Sequence, residues 1–184
     1  MNHIDQLVSD YGLIALFLGC FFEGESVAIA GGVLAHRHLL VLWQAIAVIA
    51  AGGFCSDMMY FLLGRLFRDH RWVQSFSRRP GVTRVLTAVA RNPRRVAATF
   101  RFIPGARIIT PLALAHSTIT PATYFGITAV TAMVWATVFG LVGHGIGTAL
   151  HLLFGATHTH YVLIATALGL LAAALLAAWH LRRR

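Results

Sequence analysis

The sequence predicts an all-α polytopic membrane protein with three transmembrane helices and two re-entrant helical hairpins of opposite orientation. Three observations point there. The 184 residues are 58% hydrophobic and only 11% charged, with a mean hydropathy of +0.72, which leaves too little polar surface to coat a soluble globule. Two apolar stretches are broken by charge, glycine or proline before they are long enough to cross a bilayer. The chain has 15 arginines and no lysine, and nine of the arginines crowd between Arg65 and Arg95.

Residues 11–38 are expected to form the first hairpin. Tyr11 to Phe22 is apolar, and Glu23-Gly24-Glu25-Ser26 then interrupts it. At about 1.5 Å per residue this arm reaches about 18 Å, roughly half a bilayer. A charge in hydrocarbon is costly, so Glu23 and Glu25 should face a cavity or a partner and mark a transport pathway. No Lys or Arg precedes the first apolar run, and Asp5 and Asp10 do. A cleavable secretion signal is therefore not expected, and the first segment should remain in the mature protein.

Residues 39–67 supply the first full crossing, since Leu39 to Leu63 is long and mostly apolar. The Arg-rich segment 68–95 interleaves Trp72, Val73, Phe76, Val85, Leu86 and Val89 with its arginines. That spacing suits amphipathic cytoplasmic helices on the inner leaflet, divided at Pro80-Gly81. Beside membrane spans, such a basic run marks a loop near anionic headgroups and not a nucleic-acid surface. Residues 96–119 form the second hairpin, because Val96 to Ile103 is short before Pro104-Gly105 and Pro111 follows. Residues 121–147 and 159–181 complete the crossings, joined by a loop from Gly145 to His160.

Arginine placement tests this assignment independently. Five full crossings would put the Arg65 to Arg95 loop opposite Arg182, Arg183 and Arg184, against the positive-inside rule. Three crossings put both in the cytoplasm and the amino terminus outside, with Arg37 as a lone exception. Non-helical backbone at membrane depth survives only inside protein or beside an aqueous cavity, so the hairpin tips should be covered by spanning helices. Leu34-Ala35-His36 and Leu114-Ala115-His116 each close a broken segment before a span. Such an inverted repeat is how secondary transporters place a site near the midplane.

Charges entering from opposite leaflets can meet. Glu23, Glu25 and Asp57 supply acids suited to carrying protons, while Arg101 and Arg107 supply planar guanidinium forks that suit phosphate or carboxylate. A structural ion-pair network that only locks the tips together is the bland alternative.

Three motifs carry a resemblance over approximately Tyr11 to Gly147: Phe22-Glu23-Gly24-Glu25, then Gly53-Phe54-Cys55-Ser56-Asp57 followed by Tyr60 and Gly64-Arg65, then Arg101-Phe102-Ile103-Pro104-Gly105-Ala106-Arg107. In these the chain resembles the DedA family of bacterial inner-membrane proteins, related to the SNARE-associated or VTT domain of eukaryotic lipid scramblases. The resemblance implies proton-motive-force-dependent transport, with members that return undecaprenyl phosphate or phosphatidylethanolamine across the inner membrane. It assigns proton coupling to Glu23, Glu25 and Asp57 and phosphate binding to Arg101 and Arg107. Tyr60, Gly64, Arg65, Pro104 and Gly105 are supporting residues. One departure is the acidic tip, which is Glu-Gly-Glu-Ser where many members carry proline.

The partners expected are membrane lipids and protons, with no cofactor and no nucleic acid; a homo-oligomer is compatible with this reading. The histidine pairs His36/His38 and His158/His160 are expected outside, and no metal site is expected, because one needs three or four converging ligands. Cys20 and Cys55 read as packing residues without a disulfide. Gly140, Gly143, Gly145 and Gly147 read as close helix packing, as do Gly31-Gly32 and Gly52-Gly53. Two other functions compete. A proton-coupled transporter of a small cationic solute would use the acids as its binding site. An intramembrane lipid-modifying enzyme is not expected, because such sites need clustered Lys, Arg and His or several Asp on neighbouring turns, and this chain has no Lys and a single Asp in the spans. A structural scaffold would be an expensive use of intramembrane charge.

Overall fold

The computed structural model describes the backbone of residues 3–67, 80–103 and 106–182, and the side chains of 11–67, 85–103 and 106–152. Every regular element among the described residues is helical. They are α1 (His3–Phe22), α2 (Glu25–His36), α3 (Leu42–Leu66), α4 (Pro80–Arg91), α5 (Pro93–Thr99), a 3-10 turn (Phe100–Phe102), α6 (Ala106–Leu114) and α7 (Pro121–Arg182). Among the described residues two segments, Leu42–Leu66 and Pro121–Leu152, are long and apolar enough to cross a membrane.

Local chemistry sets the helix ends. Gly24 separates α1 from α2 at φ +99, a backbone region that residues with a Cβ avoid. The far end of α2 closes in a Schellman pattern, with Leu39 N–H donating to Leu34 O at 3.2 Å and His38 N–H to Ala35 O at 3.1 Å. His38 takes the left-handed position at φ 57, where glycine is usual. Asn92 caps α5 by accepting from Arg95 N–H at 3.1 Å, and Pro93 follows in the first turn, where its missing N–H costs nothing. Thr120 caps α7 in the same way, accepting from Thr123 N–H at 3.2 Å ahead of Pro121.

The helices repeat one order: the pair α1 and α2 precedes the long α3, and α4 leads into a second pair, α5 and α6, that precedes the long α7. The base of the α1–α2 pair lies beside the outgoing part of α7, where His36 meets His144 and His151. The base of the second pair lies at the opposite end, where Ile119 O accepts from Arg65 in the last turn of α3. Helices α3 and α7 are therefore antiparallel, and the two pairs point towards each other from opposite ends. Each has its own apolar core. One gathers Leu16, Cys20, Ala28, Ile49 and Trp135, and the other Phe61, Phe100, Leu114, Ile119 and Tyr124.

Backbone approach is closest between α2 and α7. A Cβ on Gly32 would strike the Gly140 carbonyl, and one on Gly143 would strike the Ile29 carbonyl and lie 3.0 Å from Ile29 Cα. Small residues permit this where helices pack without a hydrophobic driving force. Gly143→Ala is expected to destabilise the protein by about 1–3 kcal/mol, since neither obstructing group is a movable side-chain end. Thermal unfolding in detergent should register this as a lower midpoint than for Gly145→Ala, where a Cβ would meet nothing within 4 Å.

Two expectations change. The stretches 121–147 and 159–181 belong to one helix of 62 residues, and the expected loop between them is helical. Residues 148–158 contain no proline and only one glycine to stop a helix. The apolar side of α4 does not lie free for the inner leaflet either. Val89 is buried, and Val85 and Leu86 pack with it onto Ala97, Phe100 and Leu114 of the second pair. Trp72, Val73 and Phe76 lie outside the described residues.

Candidate functional site

The two tips and the middle of α3 converge on Asp57. Its carboxylate is fully buried, and its Oδ2 accepts a hydrogen bond from Arg101 Nη2 in a buried ion pair. Arg107 approaches the other oxygen, with Nε 3.9 Å from Oδ1. The remaining Arg107 nitrogens bind the first tip through main chain, Nη1 donating to Glu23 O at 2.8 Å and Nη2 to Cys20 O at 2.6 Å. Those carbonyls belong to the end of α1, where helical acceptors lack intrahelical partners and the dipole favours a cation. One guanidinium thus joins both helix pairs to the spanning helix.

Glycines make room for this arrangement. A Cβ on Gly24 would overlap Arg107 Nη1, and a Cβ on Gly53 would lie 2.7 Å from Arg101 Nη1. Gly53 stands one helical turn before Asp57 on the same face, so the α3 surface is cut away where Arg101 must lie. Trp135 covers the other side, with the Arg101 Cζ 5.5 Å from its ring centroid, in a cation–π contact strengthened by burial. Tyr124 is anchored to the same helix, its hydroxyl donating to Asp57 O at 3.4 Å. Its ring stacks on Phe61 at 4.0 Å between centroids. The Arg65 guanidinium caps that stack 5.3 Å from the Phe61 ring and donates to Ile119 O at 2.5 Å.

Accessibility separates the two tip arginines. The Arg101 side chain is 3% exposed and that of Arg107 is 15%. Arg101 is enclosed by aspartate, tryptophan and backbone, whereas Arg107 sits at the edge of the cluster. Taken together, Asp57, Arg101 and Arg107 carry one excess positive charge when all are ionised. Such a cluster favours an anion, and guanidinium forks match the oxygens of phosphate.

Not every acid named from the sequence reaches this cluster. The ion pairs at the tip are both made to Asp57. Glu23 contributes its carbonyl, and its side chain is exposed. Glu25 occupies the first turn of α2, where its charge favours the helix dipole, and it is half-buried. Among the supporting residues, Gly64 lets α6 approach, since a Cβ there would lie 2.8 Å from Ala115 Cβ and 3.2 Å from Leu112 Cα. Tyr60 is half-buried, and Pro104 and Gly105 lie outside the described residues. Sequence reasoning missed Trp135, Tyr124 and the two carbonyl acceptors. An aromatic inside a span carries no signal of the cation above it, and main-chain acceptors leave no trace in residue identity.

Among the described residues no group of three or more His, Cys, Asp and Glu could hold a metal ion. A family model described as the VTT domain matches residues 21–145, a span that includes both tips and Asp57. The inner membrane protein YohD of Escherichia coli (strain K12) is 31% identical over 145 residues, covering 78% of this chain and 75% of that protein. No solved structure matches the chain.

Proposed function

The chain belongs to the VTT-domain, or DedA, family of membrane proteins, and on that premise we propose that it is a proton-motive-force-dependent transporter that moves a lipid by its phosphate headgroup. Undecaprenyl phosphate and phospholipids such as phosphatidylethanolamine are the substrate class, and a bacterial inner membrane is the location. The observation that carries this reading is the excess of guanidinium over carboxylate at the meeting point of two opposed helix pairs.

Arg107 is the headgroup ligand, because it is the more accessible fork and its present partners are exchangeable. Arg101 holds Asp57 in place beside it. A phosphate entering the cluster displaces the Glu23 and Cys20 carbonyls from Arg107 and competes with the Asp57 carboxylate for its charge. Protonation at Asp57 Oδ1, which accepts no hydrogen bond from the protein, removes the negative charge and leaves Arg107 to the headgroup. Loss of that proton restores the carboxylate and expels the phosphate. Glu23 and Glu25 at the tip exchange protons between this cluster and water.

The opposed helix pairs support two re-entrant hairpins with their tips near the midplane, in an inverted repeat. The positive-inside rule puts the Arg65 end of α3 in the cytoplasm. The opposite end, with exposed Tyr11 and Trp43 at an aromatic belt, is then outside with the amino terminus.

Lipid-phosphate binding to the detergent-solubilised protein tests the site. Arg107→Lys should weaken binding about tenfold or more, because the ammonium keeps the charge but loses the bidentate fork. Glu23→Gln and Glu25→Gln should bind normally and lose their dependence on a proton gradient in vesicles. Normal phosphate binding by Arg107→Lys, with binding lost in the Gln variants, would make the acids the substrate site and replace the lipid by a cation.

A further inference from the structure

A second cluster of titratable side chains lies at the other end of α2. The His36 ring packs edge-on against His144 at 5.1 Å and faces His151 at 6.2 Å between centroids. Gly147 is buried beneath it, and a Cβ there would come within 2.9 Å of the His36 ring. Thr148 links the two helices, its Oγ1 lying 3.2 Å from His36 Nδ1 and donating to His144 O at 3.1 Å. His144 is 23 residues into α7, about 35 Å along its axis at 1.5 Å per residue, which exceeds the ~30 Å of hydrocarbon and brings the cluster to the membrane surface.

We propose that His36, His144 and His151 form a proton-sensitive latch between the end of α2 and α7, closed when the rings are neutral and loosened when they take up protons. Three imidazoles from two helices gather here, His36 lying against each of the other two, and the charges around them are of one sign. On the α2 side the neighbours are Arg37, which makes a contact of its own, and His38. The first two turns of α3 carry no titratable residue, and Tyr11 and Cys20, the latter at the far tip, are the titratable groups of α1 among the described side chains; His3, Asp5 and Asp10 lie outside them. No carboxylate among the described side chains faces the rings to balance added protons.

Partial desolvation, followed by His144, His151 and His38, holds the His36 imidazole below the ordinary histidine value. A base with a depressed pKa binds fewer protons in the packed state than in the separated one. The packed state is therefore favoured above the ordinary value of about 6.5 and is weakened as pH falls below it. The Thr148 hydroxyl can accept from a protonated His36 while still donating to His144 O, so repulsion among the rings, and not loss of that bond, opens the latch. Gly32 and Gly143 keep the middle of α2 seated, which confines the change to its last turn.

The site serves a purpose distinct from the Asp57 cluster. Helix α2 carries Glu25 at its tip end and the latch at the other, and the Gly32–Gly143 seam between them keeps the change at the latch end. The placement at a membrane surface and the side that is sensed rest on the topology proposed above; the latch itself does not.

Hydrogen exchange on the full chain in nanodiscs tests it, with protection of the 33–39 amides corrected for intrinsic exchange. Between about pH 8 and about pH 5, either side of the ordinary histidine value, protection should fall several-fold as the packed state takes up protons. The His36→Gln/His144→Gln/His151→Gln variant should lose this dependence. Should that variant fail to fold, the exposed His151→Gln alone provides the comparison, with the His36 ring titration followed by nitrogen NMR. Its midpoint should move up once a neighbouring imidazole is gone. Unchanged wild-type protection across this range, the same loss in the triple variant, or an unmoved His36 midpoint would each overturn the latch. None of these readings depends on transport, so failure of the latch and failure of the lipid proposal are separable.

Discussion

Asp57→Ala is expected to cost about 3–5 kcal/mol and to leave little folded protein in mild detergent. The reason is Arg101, which is almost wholly buried and whose one anionic partner here is Asp57. Removing a single member of a buried pair strands the other charge, and that penalty exceeds the worth of the pair itself. Arg101→Met should be milder, since it leaves Asp57 with Arg107 3.9 Å away. The double variant Asp57→Ala/Arg101→Met should recover much of the stability lost in Asp57→Ala, because no buried charge is then unpaired. Thermal unfolding of the four proteins forms a double-mutant cycle. Additive losses would show that the two side chains do not depend on each other.

Gly24→Ala is expected to abolish transport with much of the fold intact. The backbone there sits at φ +99, so any Cβ brings strain of about 1–3 kcal/mol. Its Cβ would also occupy the place of Arg107 Nη1, forcing the guanidinium off the Glu23 and Cys20 carbonyls. Both effects act at the tip, away from the α2–α7 seam. Gly126→Ala is the contrasting change, because a Cβ there meets nothing within 4 Å. It should be neutral, or stabilising by up to about 1 kcal/mol through helix propensity. Transport in proteoliposomes at matched protein content separates the two, and wild-type rates in Gly24→Ala would disconnect the tip from function.

The residues of the site were more legible than their pairing. Hydrophobic runs broken at Gly24 and before Ala106 locate the tips, because charge and glycine inside apolar sequence have few other uses. Asp57, Arg101 and Arg107 stand out for the same reason. Their partners do not follow from that pattern. Asp57 meets Arg101 because α3 turns Gly53 and Asp57 to one face at the depth of the tip, a matter of register between elements. Glu23 binds through its carbonyl, which any residue would offer. The histidine latch joins residues far apart in the chain; of the two pairs that stood out by sequence, His36/His38 supplies one ring to the ring contacts and His158/His160 lies outside the described side chains. The continuity of α7 escaped because topology argued for a loop where local helix propensity offers no stop.

The central claim is that a phosphate headgroup and a proton share the Asp57 cluster. Reconstituted liposomes loaded separately with undecaprenyl phosphate, phosphatidylethanolamine or a small soluble cation, with and without an imposed proton gradient, test it most directly. The account predicts gradient-dependent movement of one of the phosphate lipids, lost in Arg107→Lys and made gradient-independent by Glu23→Gln. Movement of the cation alone, unaffected by Arg107→Lys, would contradict it.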